Sequence, residues 1–293
     1  MRDGRWFSET STGGVRFSLE ASKVLLHERT GAQEVALIDN DVFGRVLLLD
    51  GVVQLTTRDE FVYHEMLAHA PLLAHGTAED VLIVGGGDCG LAEEVLKHES
   101  VRTLTQVEID PAVVELARQH LADVNSPVFS DPRFRLVIDD GAAFVEREAG
   151  KFDVVLVDST DPIGPGAVLA SRRFYAAVRE RLAAGGLLVT QNGVPFLQAA
   201  ELRRAIQNLA STFRHVACCA ITVPSYFGGQ MALAWSADDD TALSVPLETL
   251  VERFERARID TRCYTPAVHK AAFVLPRFLA DAVSDAVAAG RRG

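Results

Sequence analysis

Cysteine is scarce in this sequence of 293 residues, with only four in all. Cys218 and Cys219 are adjacent and the other two stand alone, so there is no CxxC pair and no Cys/His spacing typical of a zinc site. We therefore expect buried thiols and no bound metal ion.

Long hydrophobic runs are also missing. No stretch approaches the roughly 18 apolar residues that a membrane-spanning helix needs. The first ten residues, MRDGRWFSET, lack the apolar core of a signal peptide. These absences predict a cytoplasmic protein that does not interact with a membrane.

Positive charge is in deficit, because 29 Lys and Arg residues stand against 40 Asp and Glu, for a net charge of −11. This balance argues against nucleic acid and anionic membranes as partners, and it suits a cationic substrate. On charge alone, an acidic surface that keeps the protein soluble is the simpler explanation.

The segments that are present divide the chain near residue 58. Short β-type segments before it break at turn signals such as Asp50-Gly51, which predicts hairpins. Beyond it, strand and helix patterns alternate, which predicts an α/β fold with a parallel sheet and helices on both faces. We predict a β-stranded domain, 1–57, and a Rossmann-like catalytic domain, 58–293. The predicted strands of the second domain are 81–84, 103–108, 134–138, 153–157 and 186–191. Its predicted helices are 89–97, 111–121, 141–147 and 171–183. Two antiparallel edge strands are predicted at 215–222 and 230–236.

A glycine-rich turn, VLIVGGGDCGLAEEVL, resembles a nucleotide-binding turn. Gly85, Gly87 and Gly90 satisfy GxGxxG between a predicted strand and a predicted helix. Glu108 ends the next predicted strand about 20 residues later, where an acid can accept hydrogen bonds from a ribose diol. These features predict an adenosine-type ligand, and an NAD-dependent dehydrogenase is the first candidate.

Asp88 argues against a pyrophosphate in this turn. Two like unit charges about 4 Å apart repel by on the order of 4 kcal/mol at an effective dielectric near 20. A ligand that combines adenosine with positive charge fits better, and decarboxylated S-adenosylmethionine carries an ammonium that Asp88 could pair with. Asp140, after the strand at 134–138, could accept from an adenine amine, or could cap the helix beginning near Gly141, and the two roles are compatible.

A second acidic stretch, DSTDPIGPG, follows the apolar run FDVVLV. Asp158 and Asp161 therefore lie at the carboxyl end of a predicted parallel strand, where open α/β sheets bind their ligands. An amine with a pKa near 10 must lose a proton before it attacks the carbon beside a sulfonium, and carboxylates can hold the amine and take that proton.

The polar segment DGVVQLTTRDEFVYHEM precedes the Rossmann-like part of the chain. Tyr63 and His64 could line a diamine channel, with Gln54 adding a hydrogen bond, and we also place Gln54 among the nucleoside-binding residues. His64 taken alone is explained more simply by packing within a helix that starts near Asp59.

The motifs together resemble the polyamine aminopropyltransferases, in particular spermidine synthases of the bacterial type. They are, in chain order, LLLDGVVQ, RDEFVYHEM, VLIVGGGD, VEID, DPRFRLVIDDG, FDVVLVDSTDPIGPG, QNGV and AFVLP. The resemblance implies a methyltransferase-like Rossmann domain after a small N-terminal β-hairpin domain, and a homodimer or homotetramer. It implies transfer of an aminopropyl group from decarboxylated S-adenosylmethionine, as a co-substrate and with no permanently bound cofactor, to putrescine, which gives spermidine and methylthioadenosine.

The same resemblance implies a role for each matching position. Asp158 would be the proton acceptor. The polyamine would contact Tyr63, His64, Asp88, Asp161 and Tyr226, and the nucleoside would contact Gln33, Gln54, Gly85, Glu108, Asp140, Gly141 and Pro165.

The sequence departs from the family pattern at four positions. GGGDGG reads GGGDCG, so Cys89 replaces a glycine and could make the enzyme sensitive to oxidation. Glu93 replaces an arginine, and QTTERDEF reads QLTTRDEF, in which Leu55 and Thr57 leave the acids of the predicted site intact. Rival hypotheses are a putrescine N-methyltransferase that uses intact S-adenosylmethionine, a dehydrogenase, and a polyamine-binding regulator without turnover.

Overall fold

The computed structural model describes residues 5–12, 14–160 and 164–292. In the part of the chain that it describes, no helix has the length and apolar character needed to cross a membrane. The strands are β1 Arg5–Thr12, β2 Val15–Ala21, β3 Lys23–Arg29, β4 Glu34–Asn40, β5 Gly44–Leu49, β6 Val52–Thr56, β7 Asp80–Gly85, β8 Thr103–Glu108, β9 Phe134–Ile138, β10 Phe152–Asp158, β11 Leu182–Gln191, β12 His215–Ile221 and β13 Met231–Ala237.

The helices follow the strands in alternation through the middle of the chain, as the sequence pattern predicts. Two further 3-10 segments, Val128–Ser130 and Gly164–Ala170, lie between them. The helices are α1 Glu60–His75, α2 Gly90–Leu96, α3 Pro111–His120, α4 Ala122–Asn125, α5 Gly141–Arg147, α6 Arg172–Arg181, α7 Ala199–Ala210, α8 Leu247–Ala257, α9 Pro266–Ala272 and α10 Arg277–Gly290.

A seven-stranded sheet forms the centre of the fold, in the order β12-β13-β11-β10-β7-β8-β9. The five strands from β11 to β9 are parallel. β13 pairs antiparallel with β11, and β12 pairs antiparallel with β13. Successive side chains of a strand point to opposite faces, so Val81 and Ile83 belong to one apolar core and Leu82 and Val84 to a second core on the other face. This confirms the α/β prediction.

One predicted strand position is wrong in detail. The segments 215–222 and 230–236 were both expected at an edge, but β13 lies between β11 and β12, so of these two strands β12 alone is at an edge. All seven residues of β13 are buried, because MALAWSA has no charged side chain on either face.

The N-terminal residues form a two-stranded sheet, β1-β2, and a four-stranded sheet, β3-β4-β5-β6. Asp50 and Gly51 join β5 to β6 with φ values of 48° and 79°, as a two-residue hairpin turn requires. Apolar residues of the four-stranded sheet pack against α3, so the N-terminal sheet lies beside the Rossmann-like sheet. This confirms β-hairpins before a methyltransferase-like Rossmann arrangement.

Candidate active site

The candidate site lies at the carboxyl edge of the parallel strands. Gly85 ends β7, Glu108 ends β8 and Asp158 ends β10, while Asp140 follows β9 by two residues. From β7 the chain adds β8 and β9 on one side of β7, and then reverses to add β10 on the other side. Such a reversal opens a crevice at the strand ends, which is where open α/β sheets bind ligands.

The turn between β7 and α2 is held against the end of β10. Gly85 has a φ of +91°, and a Cβ there would lie 2.0 Å from the carbonyl oxygen of Asp158. The Gly86 N–H donates to that oxygen at 2.7 Å. From β8, the Gln106 side-chain amide donates to the Gly85 carbonyl at 3.1 Å and the Gly86 carbonyl at 2.5 Å. Only glycine meets both conditions at position 85.

Two carboxylates converge beside this turn. Asp158 Oδ1 accepts a hydrogen bond from the Tyr63 hydroxyl at 2.8 Å. Asp158 Oδ2 is buried and has no hydrogen-bond partner among the residues that the structure describes. Asp88 Oδ1 accepts the Gly90 N–H at 2.7 Å, so Asp88 is fixed by the first residue of α2. A buried acceptor without a donor is costly, and an amine ligand would supply the donor.

The electrostatic setting favours a proton acceptor at Asp158. Burial and the Asp88 carboxylate raise the pKa of Asp158 to about 6, although His64 and the Tyr63 hydroxyl oppose the rise. Burial and the Asp158 carboxylate raise the pKa of Tyr63 well above its ordinary value, so the phenol stays protonated and donates. Asp158 is therefore ionised at neutral pH and more basic than an exposed aspartate.

His64 lies between two acids. Its Nδ1 is 2.8 Å from Glu60 Oε2 and its Nε2 is 3.5 Å from Asp88 Oδ1. Burial lowers the pKa of His64, but the Asp88 and Glu60 carboxylates outweigh it and raise the pKa to about 9. The simple packing role considered from the sequence is therefore incomplete, because the ring is an imidazolium that joins two carboxylates.

One cation could fit among His64, Asp88 and Asp158, because one ligand atom of each lies within 4.8 Å of the others. A protonated imidazole has no lone pair to give to a metal ion. With His64 protonated, the cluster suits an organic ammonium, which takes its contacts from carboxylate oxygens.

Glu108 and Gln33 lie on the other side of the glycine turn. Glu108 is buried, its Oε1 accepts the Asp110 N–H at 2.9 Å, and a Cβ at Gly87 would lie 3.2 Å from Glu108 Oε2. Burial raises the pKa of Glu108 to about 7, although the N–H groups of Asp110 and Ile109 oppose it. Gln33 Nε2 donates to Asp110 Oδ2 at 3.2 Å, which brings a residue of the N-terminal sheet to this side.

The remaining nucleoside candidates are placed less completely. Asp140 Oδ1 accepts the Ala143 N–H at 2.9 Å and caps α5, which is the capping role that the sequence left open. A Cβ at Gly141 would lie 2.5 Å from a methyl group of Val84, so the backbone passes close to β7. Asp161 and the side chain of Pro165 lie outside the described residues.

Three candidates from distant parts of the sequence meet at one wall of the site. The Tyr226 hydroxyl donates to the Gln54 carbonyl at 2.6 Å, and the Gln54 side-chain amide donates to the Val52 carbonyl at 3.3 Å. The rings of Tyr226 and Tyr63 are 6.0 Å apart and nearly perpendicular. Tyr226 is thus joined through Tyr63 to Asp158.

The four sequence departures leave this arrangement intact. Cys89 has a φ of 62° just before α2, a conformation that favours glycine. It is fully buried, and burial and the Asp88 carboxylate raise the pKa of its thiol, which argues against the sensitivity to oxidation expected from the sequence. Glu93 pairs with Lys97 at 2.9 Å. Leu55 is buried in the N-terminal core, and the Thr57 hydroxyl accepts the Arg45 N–H.

Sequence reasoning missed three residues that support the site: Glu60, Gln106 and Asp110. Glu60 could have been found from its spacing, because residues i and i+4 of a helix share a face and His64 follows at that distance. Gln106 is a fully buried polar residue in a central strand, and such a residue usually has a specific partner. Asp110 before Pro111 is a helix-start signal, and nothing local indicates its bond to Gln33.

Comparison with known proteins gives the family. Residues 60–244 match the spermine/spermidine synthase domain, and residues 5–57 match the spermidine synthase tetramerisation domain. The chain belongs to the spermine/spermidine synthase family. A polyamine aminopropyltransferase of Klebsiella pneumoniae subsp. pneumoniae is 48% identical over 92% of this chain and 94% of its own length. One of Enterobacter sp. is 48% identical over 97% of this chain and 98% of its own length.

Solved structures of the family have the same fold. A spermidine synthase in complex with the transition-state analogue AdoDATO superposes with a TM-score of 0.91 at 31% identity, over 97% of this chain and 96% of its own. The spermidine synthase of Thermotoga maritima gives a TM-score of 0.88 at 30% identity, over 97% and 95%. The chain is accordingly an aminopropyl-transferring enzyme with the spermidine synthase fold.

Proposed function

We propose that this enzyme transfers the aminopropyl group of decarboxylated S-adenosylmethionine to putrescine and releases spermidine and methylthioadenosine. The observation that carries the proposal is the buried pair of carboxylates at the ends of β7 and β10. Asp158 has an acceptor oxygen without a described partner, and Asp88 stands in a glycine turn where a phosphate would be repelled. A donor with two positive centres and no phosphate matches both features.

For the donor, we propose that the two sides of the glycine turn bind its two ends. Asp88 would pair with the ammonium of the aminopropyl group. Glu108, whose Oε2 lies under Gly87, would accept from the ribose hydroxyls, with Gln33 beside it. Asp140 and Gly141 would contact adenine through the loop that begins α5, and Gln54, Gly85 and Pro165 would complete the nucleoside site.

For the acceptor, we propose a channel bounded by Tyr63, His64 and Tyr226. Asp161 would join Asp158 in holding the amine. Tyr63 would orient Asp158 through its 2.8 Å hydrogen bond. The protonated His64 would hold Asp88 in place through its Nε2, while Asp158 Oδ2 stays available to the amine.

The reaction is a nucleophilic displacement at carbon. Asp158 receives a proton from the ammonium of putrescine, which exposes the nitrogen lone pair. That lone pair forms the new N–C bond to the carbon beside the sulfonium while the C–S bond breaks. The bonding electrons return to sulfur, so methylthioadenosine leaves as a neutral thioether and needs no general acid. Carboxylates around the site stabilise the positive charge that spreads over carbon and nitrogen.

A mass-spectrometric end-point assay tests this proposal. The purified protein is incubated with putrescine and either decarboxylated or intact S-adenosylmethionine. We expect spermidine and methylthioadenosine from the decarboxylated donor alone. Methylputrescine from the intact donor would overturn both the donor assignment and the role of Asp88, and would identify a methyltransferase. Cadaverine, agmatine and spermidine serve as competing acceptors, because the channel length sets which amine fits.

We also propose a homo-oligomer assembled through residues 5–57, with the Rossmann-like domain beginning near residue 58. The match of this segment to a tetramerisation domain favours a tetramer over a dimer. Light scattering coupled to size exclusion separates the two by mass. Location in the cytoplasm and the use of no permanently bound cofactor remain predictions.

A further inference from the structure

Asp59 stands immediately before α1 but does not cap that helix. An aspartate in this position ordinarily accepts an N–H of the first helical turn, and Asp59 makes no such bond. It is buried, with 4% of its surface exposed. Its carboxylate must therefore serve partners elsewhere, because a buried charge without hydrogen bonds is strongly destabilising.

Two of the three hydrogen bonds that this carboxylate accepts from the described residues come from the loop between β12 and β13, residues 222–230. The Ser225 N–H donates to Asp59 Oδ2 at 2.7 Å, and the Ser225 hydroxyl donates to Oδ1 at 3.2 Å. The Thr56 hydroxyl, at the end of β6, donates to the same Oδ1 at 2.5 Å. Asp59 thus joins the N-terminal sheet, the start of α1 and a loop 166 residues away.

The next two residues of that loop face the N-terminal sheets. Tyr226 donates to the Gln54 carbonyl at 2.6 Å, and the Phe227 ring stacks on Phe17 of β2 at 5.7 Å. The Tyr226 ring also packs on Tyr63, whose hydroxyl is bonded to Asp158. Residues 225–227 are therefore held by Asp59, Gln54 and Phe17. These three lie within, or two residues after, the segment that matches the tetramerisation domain.

We propose that Asp59 is a positioning residue that sets affinity for the acceptor amine by holding the 222–230 loop so that Tyr226 packs on Tyr63. This inference rests on the proposed function, because it takes Tyr226 and Tyr63 as the wall of the acceptor channel. It goes beyond that function by assigning acceptor affinity to a residue that touches no substrate. On the donor side, the side chains of Glu108 and Gln33 hydrogen-bond with Asp110.

The test is steady-state kinetics of Asp59→Ala with each substrate varied in turn. We expect the KM for putrescine to rise about tenfold, which corresponds to about 1.4 kcal/mol, with kcat and the KM for the donor unchanged. Asp59→Asn should restore most of the affinity, because its amide oxygen can accept the Ser225 N–H while the two hydroxyls turn to accept from its NH₂. If Asp59→Ala fails to fold, Asp59→Glu displaces the loop by one methylene and carries the same expectation.

Glu65 provides the matched control on the same helix. It is 2% exposed, and its carboxylate accepts the N–H groups of Arg262, Cys263 and Tyr264 at 2.7 to 2.8 Å, away from the channel. Glu65→Ala should lower thermal stability without changing the KM for putrescine. Equal KM values in Asp59→Ala and wild type, or a parallel change in both Asp59 and Glu65 variants, would overturn the proposal.

The outcome can be separated from that of the proposed function. If the wild-type protein makes methylputrescine, the donor assignment fails, and the Asp59 effect is measured on that product instead. If it makes no product, calorimetric titration with putrescine reports acceptor affinity directly in the wild-type and variant proteins. Equal dissociation constants in that titration would remove the role of Asp59.

Discussion

Replacing Asp158 by asparagine tests proton acceptance while it keeps the shape of the side chain. The substitution preserves the size of the side chain, and the amide oxygen can still accept the Tyr63 hydroxyl that bonds to Oδ1 at 2.8 Å. What is lost is the basic oxygen, Oδ2, which is buried and has no described partner. An amide cannot accept the proton of an ammonium, so we expect the main loss in the chemical step and a smaller loss in binding of the amine that Asp158 helps to hold.

The expected loss in kcat is large. A positioned general base contributes about 10²- to 10⁴-fold, which is about 3 to 5 kcal/mol on the activation barrier. Stability should change in the opposite direction. The pKa of Asp158 is higher in the folded state than in the unfolded state, so the folded state binds more protons between pH 4 and 6. Above that range the ionised carboxylate lowers the free energy of unfolding. Removing that charge should keep or raise the unfolding midpoint at pH 7.5.

The assay is mass-spectrometric detection of spermidine under saturating substrates, with the unfolding midpoint measured on the same preparations. Asp153→Asn is the matched control, because Asp153 lies on the same strand and accepts the N–H groups of Glu79 and Asp80 far from the site. We expect the control to retain wild-type turnover. Turnover of Asp158→Asn within about tenfold of wild type would refute the role of Asp158 as the proton acceptor.

Three further predictions concern the pKa of Asp158, the burial of the thiols and the close approach of Gly85 to Asp158. In the pH profile of kcat/KM for putrescine, the acid limb should have a midpoint near pH 6. His64→Gln should move this midpoint to higher pH, because the imidazolium lowers the pKa of Asp158. An unchanged midpoint in the variant would contradict this. In the native protein a thiol reagent should label only Cys263, because the other three thiols are buried. After denaturation it should label all four. Rapid labelling of a second thiol in the native protein would contradict this. Gly85→Ala should lower the free energy of unfolding by at least about 3 kcal/mol. Gly14→Ala is the control, because Gly14 has a φ of +88° and no described atom within 4 Å of an added Cβ, so only backbone strain should contribute. Equal unfolding free energies of the two variants would exclude the clash with Asp158.

The positions of the parallel strands along the chain could be predicted from local patterns. Residues 81–84 and 154–157 are apolar at every position because both faces of the sheet are covered by helices. The acids at the ends of β8 and β10 then had to share one edge, since parallel strands end on the same side. The position of β13 inside the sheet was not readable, because strand order depends on long-range pairing that periodicity does not encode.

The sequence by itself determined the α/β class, the glycine turn with Asp88, and the acids at the strand ends, because each depends on neighbours within a few residues. The tertiary structure alone decided which side chains meet. Tyr226 lies 172 residues from Gln54 along the chain, yet its hydroxyl bonds to the Gln54 carbonyl. Burial beside Asp88 raises the pKa of Asp158, and two acids raise that of His64. Contacts and desolvation of this kind arise only when distant segments pack together, so no local pattern specifies them.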